Sequence, residues 1–208
     1  MNTHSHAFFT YAALQTHPQA GLAVVGAAFP DLLFFLAAPV TAALKGIGFR
    51  EAHYRTHSSP VLHTLVECCH SFLFLGLVTL LVFLVAPDWL MFCWGWLSHL
   101  CIDFFTHHQG GHPPLFPLHR WKFKSPISFY EPAQHGYKFM AVEHLAIAGF
   151  IVYWCTHGVL NAERLSWFSS RGALPLLGTL AAFLLLGGFA LLHRLVRERG
   201  RKIGPSSL

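Results

Sequence analysis

The sequence predicts an all-α membrane protein: a polytopic bundle of about five transmembrane helices, with a short N-terminal helix lying against it. Three observations predict it. Charge is scarce, since only 11% of the 208 residues are Asp, Glu, Lys or Arg, where a soluble domain carries about 25%. Hydrophobic residues make up 54%, with 20 Phe and a positive mean hydropathy. The apolar residues also fall in long runs, at about 20–44, 61–86, 89–105, 139–160 and 173–195, and a helix needs roughly 20 such residues to cross a bilayer. At this length one domain, 1–208, is expected.

Taken in order, His6 to Leu14 reads as the short N-terminal helix. The first apolar run contains Pro30-Asp31. If the N-terminal histidines join one site with His57 and Asp103, this run must be broken or re-entrant at Pro30; proline, which removes a backbone donor, permits such a break where the freed backbone faces protein or water. Ser59-Pro60 is a helix start, a cap followed by a first-turn proline. His57 therefore stands just ahead of the second long helix. Phe72 to Ala86 runs without a charge. The third run is short and carries His99 and Asp103, and the fourth carries Glu143 and His144. The loop 106–138 is rich in His, Pro and Gly, with Trp121, Phe123, Phe129 and Tyr130. From Ala173 the chain is uninterrupted to His193, which gives a C-terminal membrane helix over 173–195.

The net charge of +5 does not indicate a nucleic-acid partner, because the basic residues cluster at the ends of apolar runs rather than on one face. They concentrate in the tail (Arg194, Arg197, Arg199, Arg201, Lys202), in 106–138 (Arg120, Lys122, Lys124, Lys138) and in 45–60 (Lys45, Arg50, Arg55). Five simple spans put all three segments on one side, the cytoplasm, together with the C-terminus. The first 30 residues lack Lys and Arg, so no cleavable signal is expected. The five cysteines lie in apolar runs without a CxxC pair and read as small buried hydrophobes.

The chemistry concentrates in Ser98-His99-Leu100-Cys101-Ile102-Asp103-Phe104-Phe105-Thr106. A spacing of four stacks His99 and Asp103 on one helical face. A carboxylate in an apolar helix is costly unless compensated, and a divalent metal compensates it. Other ligand-type residues recur upstream: His4 and His6, then Pro30-Asp31, then Thr56-His57-Ser58. Together these offer three or more imidazoles and two carboxylates, enough for one hydrolytic zinc or for a pair sharing Asp103. Thr106 is a candidate partner orienting a ligand, and Glu143 a candidate general base. Asp103, Thr106 and Glu143 are thus the candidate catalytic residues, and His4, His6, Asp31, His57, His99 and Asp103 the candidate metal ligands.

These residues resemble the YdjM-like inner-membrane metal-dependent hydrolases. The resemblance rests on His6-Ala-Phe-Phe-Thr, Pro30-Asp31-Leu32, Thr56-His57-Ser58, Gly95 through Thr106, Pro114-Leu115-Phe116-Pro117 and Arg120 through Ile127. It covers most of 1–145. Two positions depart from the pattern: a second acid is replaced by Leu33, and a His-Arg-Gly by Ala52-His53-Tyr54. A more distant resemblance, to zinc-dependent phospholipase C and related single-strand nucleases, implies that Asp31, His57, His99 and Asp103 hold one metal, with an N-terminal histidine sharing Asp103 with a second. That superfamily's later HxxxE pair is missing from 125–160. The resemblances imply a multi-pass protein of the bacterial inner membrane that hydrolyses an ester or phosphodiester bond, such as that of a phospholipid, with zinc.

Two other classes compete. His63, Glu67, His70 and Glu143 could form a proton or ion relay in a transporter. A metal closed off by four protein ligands would instead mark a scaffold with a structural ion.

Overall fold

The computed structural model describes residues 1–157, and among these the chain is all-helical. The helices are α1 (Thr3–Leu14), α2 (Ala20–Lys45), α3 (Phe49–His57), α4 (Pro60–Cys69), α5 (Phe72–Val85), α6 (Leu90–Thr106) and α7 (Gly136–Thr156). Met1–Phe150 form one compact unit. The expected membrane helix at 173–195 lies outside the described residues.

The span count differs from the five expected. Among the described residues two helices, α2 and α7, are long and apolar enough to cross a membrane. A third span exists if α4 and α5, bent by 65° where they meet, count as one. Helix α6 has 17 residues, about 25 Å at 1.5 Å per residue, short of the ~30 Å hydrocarbon core. The outward faces nonetheless suit lipid: Leu77, Leu80, Leu81 and Leu84 of α5 and Val142 and Leu145 of α7 are all exposed.

The break also falls elsewhere than expected. Helix α2 runs through Pro30 and Pro39 as one element. Pro30 is fully buried, and α2 packs against α1, α3, α4 and α6, so tertiary contacts hold the helix across a lost ladder bond. The second apolar run is the one that breaks, at His70-Ser71. Ser71 Oγ caps α5 by accepting from Phe74 N, as Ser59 Oγ caps α4 by accepting from Leu62 N. The backbone groups freed at the break find partners in protein. Trp96 Nε1 donates to Cys69 O at 2.6 Å, and Phe72 N donates to Pro114 O at 2.9 Å. Irregular backbone in an apolar setting persists only where it is satisfied in this way.

Helix α6 lies tightly against α2. A Cβ on Gly95 would stand 1.8 Å from Ala23 O, and one on Gly26 would stand 2.0 Å from Phe92 O. Only two glycines, one from each helix, allow the backbones so near. Beside this contact Cys69, Leu75, Cys93, Trp96 and Leu100 form an apolar core, with Phe29 and Leu33 packed on it. Leu33, where the resembling family carries an acid, is therefore a packing residue.

Candidate metal centre

The close approach of α2 and α6 fixes the centre's first ligand-type side chain. His99 is fully buried, and its Nδ1 lies 2.7 Å from the Ala27 carbonyl. A carbonyl only accepts, so Nδ1 carries a proton and Nε2 is the nitrogen turned towards the centre; against burial, the Asp103 carboxylate raises this imidazole above its ordinary value. That Nε2 makes no hydrogen bond. It points between two carboxylates, 3.1 Å from Asp103 Oδ2 and 3.8 Å from Asp31 Oδ1. Asp103 reaches it from one turn along α6. Asp31 reaches it from α2, one turn beyond Ala27.

The helix break supplies a second imidazole of the same kind. His70 Nδ1 donates to Val66 O at 2.9 Å, which turns Nε2 towards Asp31 Oδ1, 3.5 Å away. Helix α1 supplies a third. Thr3, His6 and Thr10 share one face at spacings of three and four. Thr3 Oγ1 donates to Asp31 Oδ2, and Thr10 Oγ1 meets Ser98 Oγ at 2.9 Å. His6 Nε2 lies 2.8 Å from Asp103 Oδ1, with its ring stacked on His99 at 3.9 Å. Burial pushes the His6 imidazole down to about 4, despite the Asp103 carboxylate beside it. The Met1 ammonium also lies 2.8 Å from Asp103 Oδ1.

Two groups of ligand-type atoms result, Asp31/His70/His99 and His6/His99/Asp103, each lying within 4.8 Å of one another. Tetrahedral zinc with bonds near 2.0–2.1 Å sets its ligand atoms about 3.4 Å apart. The spacings around Asp31, 3.5 and 3.8 Å, lie near that edge. Those around Asp103, 2.8 and 3.1 Å, are nearer hydrogen-bond lengths. The His99 Nε2 lone pair can serve one ion at a time. Imidazole nitrogens and carboxylate oxygens that converge at these spacings mean that the buried His/Asp clusters could hold a metal ion.

A small cleft opens beside the centre, lined by His70, Asp103, His107 and His112 together with Phe104 and Phe123. His107 Nδ1 donates to the Asp103 carbonyl at 3.0 Å, and the His112 ring lies 4.1 Å from that of His70. Burial holds both imidazoles below their ordinary value, His112 well below. His107 and His112, two histidines of the loop 106–138, are thus part of the cleft wall.

Of the expected ligands, the structure gathers His6, Asp31, His99 and Asp103 and leaves out two. His57 is exposed on α3, stacked on Phe34 at 5.0 Å and beside His53 at 4.1 Å; the place it was expected to fill is taken by His70. His4 lies two residues from His6, about 200° around the helix, so the two cannot face one target. It turns instead towards His144, at 5.8 Å. Glu143 is buried and accepts from Asn2 N at 3.2 Å and Asn2 Nδ2 at 3.0 Å. It anchors the start of α1 rather than joining either ligand group. Thr106 accepts from the Met1 ammonium at 3.0 Å, one contact removed from Asp103.

The residues of the alternative relay engage other partners. His63 Nε2 meets His57 O at 2.7 Å, Glu67 faces Arg120 at 3.8 Å, and Glu143 holds Asn2. His70 was read from sequence only as part of that stripe. Its one local signal as a site residue is the Ser71 that follows it, a helix cap in the middle of an apolar run. Comparison of the chain with family models, with curated proteins and with solved structures returned no match.

Proposed function

We propose that this chain is a membrane-embedded, divalent-metal-dependent hydrolase acting on an ester or phosphodiester bond. The observation that carries the reading is His99: its buried Nε2 faces the carboxylates of Asp103 and Asp31, and Asp103 lines a small cleft. Asp31, His70 and His99 are the side chains best spaced to hold the ion. Three protein ligands leave a position for water or substrate, the pattern of catalytic rather than structural zinc. The imidazole and carboxylate donor set suits zinc. Bound there, zinc would polarise a carbonyl or phosphoryl oxygen and bring the pKa of water towards neutrality.

The chain's own residues do the rest. The Ala27 and Val66 carbonyls fix the tautomer and ring orientation of His99 and His70. Thr3 holds the free oxygen of Asp31. Asp103, gripped by His6, faces the cleft, where it can orient a reacting group. The resemblance to the YdjM-like hydrolases points to the same class of chemistry, and to the bacterial inner membrane with the C-terminus in the cytoplasm. Phe104 and Phe123 in the cleft wall suit a substrate with an apolar part, such as a phospholipid.

The test is metal analysis of detergent-purified full-length protein, paired with turnover of a chromogenic phosphodiester. Wild type is expected to carry a divalent metal and to turn over. His99→Ala is expected to lose the metal, and Asp103→Ala the turnover. Protein without metal, or with its metal content unchanged in His99→Ala, would overturn the proposal.

A further inference from the structure

The connection from α6 to α7 carries a surface that the metal centre does not use. Residues 115–124 read Leu-Phe-Pro-Leu-His-Arg-Trp-Lys-Phe-Lys. Both roots of this segment are pinned. On one side Ser71 Oγ donates to Phe116 O at 2.7 Å, and Phe72 N to Pro114 O at 2.9 Å. On the other the Phe123 ring stacks on Phe104 at 4.7 Å, and Ser125 N donates to His107 O at 3.1 Å.

Between the roots the side chains face outward. Leu118 is 79% exposed and Trp121 51%. Arg120, Lys122 and Lys124 are exposed with them. No Asp or Glu occurs from Phe104 to Tyr130. Glu67, 3.8 Å from Arg120, is the acid that meets this group. Pro114 and Phe123 both line the cleft, so the segment springs from its rim.

Large apolar side chains interleaved with cations match a lipid headgroup boundary. Trp sits at that depth, and Lys and Arg lay their stems along apolar surface while their charges reach phosphate. A nucleic acid could stack a base on Trp121 but would leave Leu118 without an apolar counterpart. We propose that residues 115–124 are a docking surface for the headgroup of an anionic phospholipid, placed at the rim of the cleft. Leu118 and Trp121 enter the acyl boundary, and Arg120, Lys122 and Lys124 contact the phosphate. The surface stands independently of the hydrolase reading.

The experiment uses the full chain in nonionic detergent, titrated with dioctanoyl phosphatidylglycerol, dioctanoyl phosphatidylcholine and free glycerol phosphate. Binding is followed by tryptophan fluorescence. The anionic lipid is expected to bind at least about tenfold more tightly than the zwitterionic one. Attraction of this kind is worth on the order of fivefold per cation, and the preference is expected to shrink at about 0.5 M salt. The combined change Arg120→Gln, Lys122→Gln and Lys124→Gln is expected to abolish the preference while metal content and Tm stay at wild-type values. Lys122→Glu alone is expected to weaken the anionic lipid and leave the zwitterionic one unchanged. Equal affinity for the two lipids, glycerol phosphate binding as tightly as the lipid, a preference that survives the triple variant, or one left undiminished by Lys122→Glu would overturn the proposal.

Discussion

A single hydrogen bond decides what His99 can do. With Nδ1 donating to Ala27 O, Nε2 is left to face Asp31 and Asp103, and His70 repeats the arrangement through Val66 O. This gives a sharp contrast between two histidines that sequence alone ranks the other way. His70→Ala is expected to weaken metal binding by more than the roughly 10–100-fold that losing an orienting partner costs. His57→Ala, on an exposed ring packed against Phe34, is expected to leave metal content unchanged. Metal titration of the two variants checks this, and loss of metal in His57→Ala would restore the sequence-based ligand set. His6 yields a pH prediction for metal-free protein. Its folded value of about 4 lies below the ordinary 6.5, so the unfolded chain takes up the proton first. The associated stability is complete above about pH 6.5 and is lost as the pH falls towards 4. Over that interval Tm is expected to fall more steeply in wild type than in His6→Gln.

At the scale of elements, the centre depends on how closely α2 and α6 approach. Gly95→Ala would put a methyl into Ala23 O, and backbone cannot yield as a flexible side chain can. The helices must separate, and the 2.7 Å bond from His99 to Ala27 must lengthen. Overpacking costs about 1–3 kcal/mol, so Gly95→Ala is expected to lower Tm by several degrees and to lose metal although it is no ligand. Gly76→Ala on α5 meets nothing within 4 Å and serves as the matched control; a Gly95→Ala protein that keeps wild-type metal affinity would refute the argument. The same elements show what the sequence could and could not reveal. The His99/Asp103 pair was legible because both residues lie in one helix, where spacing alone sets the face. The choice between His4 and His6 was not, because either face of α1 could have met the bundle. Pro30 looked like a break because local propensity disfavours proline inside a helix, yet packing on several sides holds α2 straight through it. His70 was hidden for the converse reason: its break is marked only by Ser71 inside a run that reads as continuous, and only the fold shows Trp96 and Pro114 supplying the partners that make the break tolerable.

At the scale of the whole molecule, the unit is apolar outside and ionisable at its heart, which inverts the order of a soluble protein. Lipid suits the exposed Leu of α5 and the Val142 and Leu145 of α7, but it offers nothing to Asp31 and Asp103, which sit among apolar helices. In this chain the Met1 ammonium, the His6, His70 and His99 imidazoles and the Thr3 hydroxyl surround the two carboxylates. An ion bound there adds to this, since binding only to the folded state stabilises it by about 4 kcal/mol at a thousandfold excess over Kd. The two regimes predict different sizes for one substitution. Asn is nearly isosteric with Asp, and its carbonyl still accepts from Thr3. In chelated protein Asp31→Asn is expected to lower Tm, since it removes the charge that His70 and His99 face. With zinc present it is expected to lower Tm by several degrees more, since it also removes a ligand, at about 2–4 °C per kcal/mol for a chain of this size. Thermal melts in detergent, with and without a chelator, read both. A polar cluster that merely ties helices together loses the same Tm in both conditions, so the difference between the two shifts separates a metal centre from a structural one without reference to any substrate.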